Sequence, residues 1–547
     1  MLGKRVCSYY LPFDERRDPM STSRKFEPFA RALLTIAVAG ISSCGSDGSA
    51  VISGSLSALH AESDVEEGGR VRDALGREVL LRGVNVNSLG EYYAFDPEIP
   101  TVHPFGEDDA DAIQSIGWNL VRLILSWSLV EPEPGVYDES YLDEVEAVVR
   151  MLESRGIYAL IDLHEDAWGP TLEARPDEEC PEGTLPAVGW DGAPRWATFD
   201  GDRPRCIEDG VIPTTRFFSP AVLAAFQAFW DDAEGPGGVG IQTRYHAMLT
   251  HVVARFSRHD SVAGYDIMNE PNAWSTVALA IFAPDEGLEE MSEELSRFYQ
   301  RGFGAVREGE ERAGAPKRLF FIEPSPDWVV VPGLALRPDF EHDGQVVYAP
   351  HIYQGTFTET LDESGFQIAL EQARMYGGVP VVTGEWGADP ARAKDPEDDY
   401  FQQHEAFQDQ YRFGAALWQW SDACGDPHHA YEGDDPNLWG FYEVECPSNE
   451  IIGFDEDFAA VMRRPLLRAA PGRIESVNWD YENGRFTASG KDATSGQALL
   501  LFLPEAVDAS AFETTGIGEL RVERTIGPGE IWTGQTTAAT WGIDVAL

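Results

Sequence analysis

The sequence predicts an α/β protein built on an eight-stranded parallel (β/α)8 barrel, with a small C-terminal β-sandwich after it. Eight short apolar runs rich in β-branched residues alternate with amphipathic helical stretches from residue 79 to residue 421. Polar residues gather at the carboxyl ends of nearly all of these runs, which is the side where barrels build their active sites. After Phe454 the pattern changes to short alternating strands, with a hairpin signal at Asn483-Gly484.

Each apolar run has the length of one strand, and its near-continuous apolar character is typical of parallel strands covered on both faces. The runs are 79–86, 120–127, 158–164, 262–270, 318–324, 346–353, 380–387 and 415–421. We expect a helix after each strand, as in 141–155, where leucine and valine recur at helical spacing before Gly156. A doubly wound sheet is the alternative, but no glycine-rich phosphate loop follows the first strand.

The length of 547 residues exceeds what a single hydrophobic core usually holds, so we expect more than one domain. The predicted regions are a signal region at 1–44, a flexible tether at 45–70, the barrel at 71–465 and the β-sandwich at 472–547. A composition rich in glycine, serine and alanine from 45 to about 64 favours the tether.

The first residues have the pattern of an export signal. An apolar run of ten residues, 32–41, follows three basic residues and precedes small ones, and it is too short for a membrane span. Met20 is a candidate start. The string ISSC, ending at Cys44, resembles the lipobox of bacterial lipoproteins, so we expect membrane anchoring through a lipidated Cys44. The alternative is an ordinary cleaved signal peptide. Both place the protein outside the cytoplasm, in the cell envelope or secreted.

Four of the six cysteines lie beyond the signal region. In an oxidising compartment the economical pairing joins neighbours in sequence, Cys180 with Cys206 and Cys424 with Cys446. Four cysteines allow three pairings, and spacing alone does not choose among them. A zinc site is disfavoured because none of these cysteines belongs to a CxxC pair.

The formal charge is 41 − 93 = −52, which excludes nucleic acid and anionic lipid surfaces as partners. A neutral or cationic partner, or a small-molecule substrate, remains. We expect a monomer.

The strings GYDIMNEP (264–271) and TGEWG (383–387) resemble those of glycoside hydrolase family 5 barrels, whose catalytic acids lie on strands four and seven. Five further strings occur where that family has its other marks: LRGVN (81–85), NLVRL (119–123), DLH (162–164), PHIY (350–353) and LWQW (417–420). Residues 131–169 and 318–324, with the trailing β-domain, are most similar to the endoglycoceramidase-like branch, which cleaves sugar from lipid. The chain departs from that branch in having no lysine in 85–93.

The resemblance implies that Glu270 is the acid/base and Glu385 the nucleophile of a retaining glycosidase. Two carboxyl groups about 5–5.5 Å apart give retention through a covalent glycosyl-enzyme. Like charges at that distance do not both ionise comfortably, so Glu270 should hold its proton while Glu385 is a carboxylate.

Seven further residues are implied to bind or orient the substrate: Arg122, His164, Asp166, Asn269, His351, Tyr353 and Trp418. Arg122 would bond Glu385 and keep it ionised, Asn269 would take the sugar 2-hydroxyl, and Tyr353 would orient the nucleophile. Trp418 would form the floor under the sugar. Glu323 is expected to brace Arg122 or a histidine rather than to react.

Two insertions are candidates for determining the substrate specificity. The segment from 165 to about 220 is much longer than a median loop and carries three tryptophans, so we expect it to form a lid over the cleft. The segment 273–284 is apolar, and we expect either a platform for an apolar aglycone or an ordinary amphipathic helix. His428 and His429, among several aspartates, are expected in a solvated loop rather than a metal site.

The sequence therefore predicts a retaining β-glycosidase that needs no metal or cofactor and acts on a carbohydrate or glycolipid, with release of sugar from a glycolipid preferred. The alternative within enzymes is an endo-β-1,4-glucanase or mannanase. The alternative from another class is a non-catalytic sugar-binding surface lipoprotein, which we would expect to lack one of the two carboxylates.

Overall fold

The computed structural model describes residues 56–547 except 209–215, 274–283, 330–331, 334, 359 and 434–435. The predicted signal region, with Cys44, lies outside the described residues, as does nearly all of the apolar insertion 273–284. Within the part of the chain that the structure describes, no helix combines the length and the apolar character needed to cross a membrane.

Eight parallel strands form the barrel. In chain order they are Arg82–Val86, Leu120–Ser126, Tyr158–His164, Val262–Asp266, Leu319–Ile322, Val346–Tyr348, Val382–Trp386 and Gly414–Leu417. We refer to them as the first to the eighth barrel strand. Neighbours pair in that order, and the eighth strand pairs with the first. A single parallel bridge between Tyr348 and Val381 joins the sixth and seventh strands. The predicted barrel is confirmed.

Helices follow seven of the eight strands: Glu107–Ile116, Glu139–Ser154, Ile241–Phe256, Pro284–Ala313, Ser364–Met375, Tyr400–Tyr411 and Glu456–Met462. The fifth strand is the exception, because among its described residues the connection holds only the 3-10 turn Pro326–Val329. This differs from the expectation of a helix after every strand. Two further helices, Trp127–Val130 and Pro220–Trp230, lie in the connections after the second and third strands.

Local chemistry accounts for helix Glu139–Ser154 and for the close packing of the first two barrel strands. The Asp138 side chain caps helix Glu139–Ser154 by accepting hydrogen bonds from the backbone N–H groups of Ser140 and Tyr141. The helix buries Leu142, Val145, Val149 and Leu152 on one face. Gly83 lies in the first strand where a β-carbon would come within 1.7 Å of a backbone oxygen of the second, so this approach requires glycine.

The C-terminal region contains two antiparallel sheets. One has seven strands, in the order His60–Glu62, Arg70–Arg72, Arg77–Val79, Leu466–Pro471, Ala498–Leu503, Gly529–Gln535 and Arg521–Ile526. The other has four, in the order Arg473–Asp480, Arg485–Lys491, Trp541–Ala546 and Phe512–Thr515. A hydrophobic cluster that includes Leu467, Leu499, Phe486 and Ile543 draws residues from both sheets.

Three strands of the seven-stranded sheet come from the start of the described chain. Strand 60–62 lies within the range 45–70 expected to be a flexible tether, and strand 70–72 begins at the last residue of that range, so part of the range forms β-structure. Val79 pairs with Ala469, nearly the whole barrel away in sequence. Because each of these strands is only three residues long, no local alternation marks them in the sequence.

Two small pairs of strands belong to the connections at the barrel mouth. Thr184–Pro186 pairs with Cys206–Glu208 inside the insertion after the third strand, and Tyr442–Glu445 pairs with Glu450–Phe454 after the eighth. The disulfides Cys180–Cys206 and Cys424–Cys446 lie beside these pairs, with Cα–Cα distances of 5.7 and 5.6 Å. The predicted pairing is confirmed.

Candidate active site

Arg122, on the second barrel strand, lies fully buried beneath the carboxyl ends of the strands. Its guanidinium donates to Glu385 Oε1 at 2.9 Å, Glu323 Oε1 at 2.9 Å and Asp266 Oδ2 at 3.1 Å, and Asp162 lies 3.1 Å away. Burial opposes the charge of Arg122, but these four carboxyl groups raise its pKa well above the ordinary value. Arg122 is therefore a fixed positive centre that organises the acids of the site.

Glu270 follows the fourth strand and Glu385 lies on the seventh, and their carboxyl groups face each other. One oxygen from each lies within 4.8 Å of the other. His351 contacts both, with Nδ1 2.9 Å from Glu270 Oε1 and 3.4 Å from Glu385 Oε2. Both carboxyl groups line one pocket. Two distant stretches of the chain thus bring two acids across a narrow gap.

Burial raises the pKa of Glu270 above the ordinary value, and the negative charges of Asp166 and Glu385 add to this effect while His351 opposes it. The backbone of Glu270 has a φ of 37°, a left-handed conformation that is unfavourable for a residue other than glycine. Its backbone N–H donates to Glu323 Oε2 at 2.7 Å, which stabilises that conformation. The raised pKa therefore favours the protonated form of Glu270, and the hydrogen bond to Glu323 holds its backbone in one place.

Both oxygens of Glu385 are engaged by fixed donors. Arg122 holds Oε1, and the Tyr353 hydroxyl donates to Oε2 at 2.9 Å. Burial, together with the charge of Glu385, raises the pKa of Tyr353 well above its usual range, so the hydroxyl remains a donor. Gly384, the preceding residue, leaves room for His351, whose Nε2 would lie 2.8 Å from a β-carbon at that position.

Glu323, at the end of the fifth strand, is 1% exposed and contacts both Arg122 and His351. Burial alone would raise the pKa of Glu323, but the charges of His351 and Arg122 lower it to about 2. The same carboxylate, with Glu385, raises the pKa of His351 well above its ordinary value against the effect of burial. Glu323 was expected to contact Arg122 or a histidine, and it contacts both Arg122 and His351.

A second group of polar residues lies beside the pair, at the ends of the third and fourth strands. Asn269 accepts from Arg122 at 3.0 Å and directs its amide group to Asp166 Oδ1 at 3.4 Å. His164 bonds Asp162 through Nδ1 at 2.7 Å and stacks on Trp418, with ring centroids 5.4 Å apart. Burial would lower the pKa of His164, but Asp162 and nearby acids raise it to about 9.

The expectation of a solvated loop around His428 and His429 is wrong. His429 is 6% exposed and lies between Asp422 and Glu432, at 2.9 and 3.0 Å. His428 Nε2 lies 3.7 Å from Asp166 Oδ2, and both histidines line the pocket. Against burial, their carboxylate partners raise the pKa of His428 to about 9 and that of His429 to about 11. The loop follows the carboxyl end of the eighth barrel strand, where barrels place site residues. That position in the sequence could have identified His428 and His429 as candidates.

Arg216 is a further site residue that the sequence did not reveal. It ends the insertion after the third strand, and its guanidinium donates to Asp166 Oδ2 at 2.5 Å. The guanidinium also lies over the rings of Trp190 and Phe217, at 4.3 and 4.7 Å from their centroids. Pairing with Arg216 and His428 lowers the pKa of Asp166 below its usual value despite burial.

The insertion 165–220 contributes to the pocket, but its tryptophans do not cover the cleft as a lid would. Trp168 is fully buried and meets Trp127 edge to face, at 6.5 Å between ring centroids. Trp190 is 3% exposed. These side chains anchor the insertion to the barrel, and the insertion then presents Arg216, Phe217 and Phe218 to the pocket.

Among the residues that the structure describes, two groups of side chains have the spacing to hold a metal ion, with ligand atoms within 4.8 Å of one another. They are His164 with Asp166 and Asp191, and Glu270 with His351 and Glu385. Burial and the charge of Asp166 raise the pKa of Asp191 to about 8, although His164 opposes the shift. The second group is the facing carboxyl pair itself, whose acid/base chemistry requires no metal.

The pocket has a volume of about 320 Å³, and charged and apolar side chains line it together with the carboxyl pair. Asp166 contacts both Arg216 and His428. Trp439 stacks on Phe357 at 6.4 Å, and Val329 belongs to the same apolar cluster as Tyr353. A molecule with a polar part and an apolar part matches this mixed lining.

The family model described as cellulase, glycosyl hydrolase family 5, matches residues 73–424. The chain belongs to glycoside hydrolase family 5. A solved endogalactoceramidase shares this family 5 chain's fold with a TM-score of 0.75 and 32% sequence identity, over 90% of this chain and 100% of that one. As a family 5 member the protein is a glycoside hydrolase, and not the non-catalytic binding protein considered above.

Two relatives are matched over shorter regions. Endoglycoceramidase I of Rhodococcus hoagii is 26% identical over 291 residues, which is 52% of this chain and 52% of the relative. A glucosylceramidase of Aspergillus fumigatus is 28% identical over 248 residues, 38% of this chain and 32% of the relative. The matched region therefore spans about half or less of the length of these two family 5 relatives.

Proposed function

We propose that this protein is a retaining β-glycosidase that cleaves the bond between the sugar and the lipid of a glycolipid. The observation that carries the proposal is the mixed lining of the pocket, in which the facing carboxyl pair shares one cavity with the charged Asp166, Arg216 and His428 and with the apolar Val329, Phe357 and Trp439. The names of the endogalactoceramidase and the endoglycoceramidase relatives point the same way.

The proposed reaction begins with Glu385 attacking the anomeric carbon while Glu270 gives its proton to the glycosidic oxygen. The lipid alcohol leaves, and the sugar is esterified to Glu385. Esterification removes the negative charge of Glu385, and the pKa of Glu270 then falls because that charge had helped to raise it. Glu270 next accepts a proton from water, which attacks the ester and releases the sugar with its original anomeric configuration.

The remaining polar residues would position the sugar and the nucleophile. Arg122 and Tyr353 hold the two oxygens of Glu385 and so fix the direction of attack. Asn269, which precedes Glu270, would bond the sugar 2-hydroxyl. Trp418, stacked on His164, would form the floor of the sugar site. Asp166 and His351 would complete its polar wall.

The substrate class is tested by incubating the enzyme with glucosylceramide, lactosylceramide and a ganglioside, and with soluble β-glucan and mannan. We expect sugar release from the glycolipids, measured by mass spectrometry, and no release by Glu385→Gln. Cleavage of the polysaccharides alone would make the protein an endo-β-1,4-glucanase or mannanase. A 2-deoxy-2-fluoro glycoside should label the peptide that carries Glu385.

Lipid binding by the apolar lining of the pocket is tested by Phe357→Ser, with Phe199→Ser as the matched control. Both rings are exposed, at 38% and 36%, but only Phe357 lines the pocket. We expect Phe357→Ser to lower kcat/KM for glycosylceramide about tenfold and to leave a soluble aryl β-glycoside nearly unchanged. An equal fall for both substrates would show that Phe357 does not take part in lipid binding.

Export of the protein is supported by the two disulfides. Lipid anchoring at Cys44, a monomeric state and an aglycone platform at 273–284 stay predictions. We also propose that the two C-terminal antiparallel sheets form one small β-sandwich, since a common hydrophobic cluster joins them.

A further inference from the structure

We propose that Asp266 and Glu323 share one proton, which Asp266 carries. The neutral acid then holds the Glu323 carboxylate where it fixes Glu270 and His351. This role rests on the proposed function, because it takes Glu270 as the acid/base of the reaction. Asp266 does not line the pocket, so it is a positioning residue and acts on the reaction through Glu323.

Two neighbouring strands of the barrel bring the two acids together. Asp266 is the last residue of the fourth barrel strand, and Glu323 directly follows the fifth. The register of these strands pairs Asp266 with Phe321. Because side chains alternate along a strand, Glu323 projects to the same face as Phe321, two residues further on. Both acids are buried there, at 0% and 1% exposed.

The contact between the two acids requires a proton. A hydrogen bond joins their side chains, and two carboxylates can only accept hydrogen bonds. Asp266 Oδ2 accepts from Nε and Nη2 of Arg122, at 3.3 and 3.1 Å. Asp266 Oδ1 is buried and receives no hydrogen bond from any donor among the described residues. We therefore place the proton on Oδ1, where it turns an acceptor without a donor into the donor to Glu323.

The surroundings of Glu323 favour its ionised form and leave the proton to Asp266. Arg122 and His351 contact Oε1 of Glu323 at 2.9 and 3.2 Å, and the backbone N–H of Glu270 donates to Oε2 at 2.7 Å. These partners lower the pKa of Glu323 to about 2. Burial raises the pKa of Asp266 well above its ordinary value, and the charge of Glu323 adds to this effect while Arg122 opposes it.

The other ionisable side chains that face Asp266 do not supply a second positive charge. Both tyrosines among them have a pKa well above the usual range and are neutral. An ionised Asp266 would therefore be a third negative group beside the single guanidinium of Arg122. The side chains that face Asp266 from other elements are Arg122, Asp162, Tyr245, Tyr299 and Glu323.

The charges of the buried cluster balance when this proton is in place. Three groups are positive, because nearby acids raise their pKa values: Arg122, His164 and His351. Without the proton, four carboxylates would face them: Asp162, Asp266, Glu323 and Glu385. Neighbouring Asp166 has a cation of its own in Arg216. An uncompensated charge in a buried site is costly, and one proton shared between two adjacent acids removes it.

Ionisation of Asp266 would disturb the site through Glu323. Like charges in hydrogen-bond contact repel, so the Glu323 carboxylate would move away from Asp266. That carboxylate accepts the backbone N–H of Glu270, whose φ of 37° depends on this bond. It also contacts His351. A displaced Glu323 would therefore move the acid/base away from the glycosidic oxygen.

Substitution of Asp266 by Asn tests the neutral acid, because an amide has the shape of a protonated carboxyl group and can still donate to Glu323. We expect Asp266→Asn to keep kcat for an aryl β-glycoside within about threefold of the wild type. Asp266→Leu, which has no polar atom, should lower kcat about a hundredfold with little change in KM.

Asp162→Asn is the matched control. Asp162 is equally buried and lies 3.1 Å from the same guanidinium, but its second partner is His164 at 2.7 Å, a donor. This position needs a carboxylate, so kcat should fall about tenfold or more. A fall in Asp266→Asn as large as that in Asp162→Asn would make Asp266 a charged partner of Arg122 and overturn the shared proton.

Infrared difference spectroscopy at neutral pH detects the proton without substrate. Subtracting the spectrum of Asp266→Asn from that of the wild type should reveal the C=O band of a protonated carboxyl group. The same subtraction with Asp162→Asn should reveal carboxylate bands. Carboxylate bands in the Asp266 difference overturn the proposal, whether or not Asp266→Leu folds.

These measurements separate the shared proton from the proposed function. If the protonated band is found and no glycolipid is cleaved, the proposed function fails and the shared proton stands. If glycolipids are cleaved and the Asp266 difference shows carboxylate bands, the function stands and the shared proton fails.

Discussion

The backbone N–H of Glu270 donates a 2.7 Å hydrogen bond to Oε2 of Glu323. The bond joins the proposed acid/base to a carboxylate that also contacts Arg122 and His351. Glu323 does not line the pocket, so it fixes the position of Glu270 from behind the pocket wall.

Replacing Glu323 by Gln should lower kcat about tenfold to a hundredfold and change KM little, because a displaced acid/base impairs the chemical step more than binding. Glu131→Gln is the control, since Glu131 is equally buried but bonds Trp127 outside the pocket. Steady-state kinetics on an aryl glycoside measures both constants. A rise in KM with an unchanged kcat would contradict a positioning role.

The protonation of Glu270 should depend on the charge of Glu385. Burial, Asp166 and Glu385 together raise the pKa of Glu270, so activity should be lost as the pH rises through that raised pKa. In Glu385→Gln one negative charge is gone, and the pKa of Glu270 should fall. Carbon-13 NMR titration of the Glu270 carboxyl in both proteins measures the shift. An unchanged or higher value in the variant would show that the two groups do not interact.

Gly384→Ala should displace His351, which contacts the proposed nucleophile Glu385. A β-carbon at this position would lie 2.8 Å from His351 Nε2, so the ring must move away from Glu270 and Glu323. We expect kcat to fall about a hundredfold with only a small loss of stability. Gly304→Ala is the matched control, because a β-carbon there meets nothing within 4 Å. Equal effects of the two substitutions on kcat would argue against a role for His351.

The disulfide Cys424–Cys446 closes a loop of 22 residues beside the pocket. Replacing both cysteines by Ala should lower the free energy of unfolding by about 3 kcal/mol, chiefly by freeing the unfolded chain. The loop carries His428 and His429, so kcat/KM should fall as well. Urea unfolding and kinetics on the same preparation test both effects. Full activity would show that the loop keeps its shape without the bond.

Much of the barrel could be predicted because its signals are local. Each strand is a continuous apolar run, and its polar residues follow at the carboxyl end, as for Glu270 and Glu385. Asp162 and Asp266 also carry a local signal, because each is an acid inside an apolar run. An acid inside a buried strand requires a counter-charge, and Arg122 is that charge.

The features that could not be predicted depend on contacts between distant parts of the chain. Arg216 and His428 become site residues only because two loops meet over Trp190. His429 is buried because Asp422 and Glu432 compensate its charge, and a linear sequence of histidines and acids is equally typical of a solvated loop. The strands 60–62 and 70–72 are too short to show a period.

The pairing of Val79 with Ala469 has a consequence for biosynthesis. The ribosome delivers residues 77–79 at the start of the fold and their partner strand only after the whole barrel has been translated. Until then this strand has an open edge, which other nascent chains can join. A protein truncated at residue 465 would keep both carboxylates of the site and still be prone to aggregate, so shortened versions for expression should retain the C-terminal sheets.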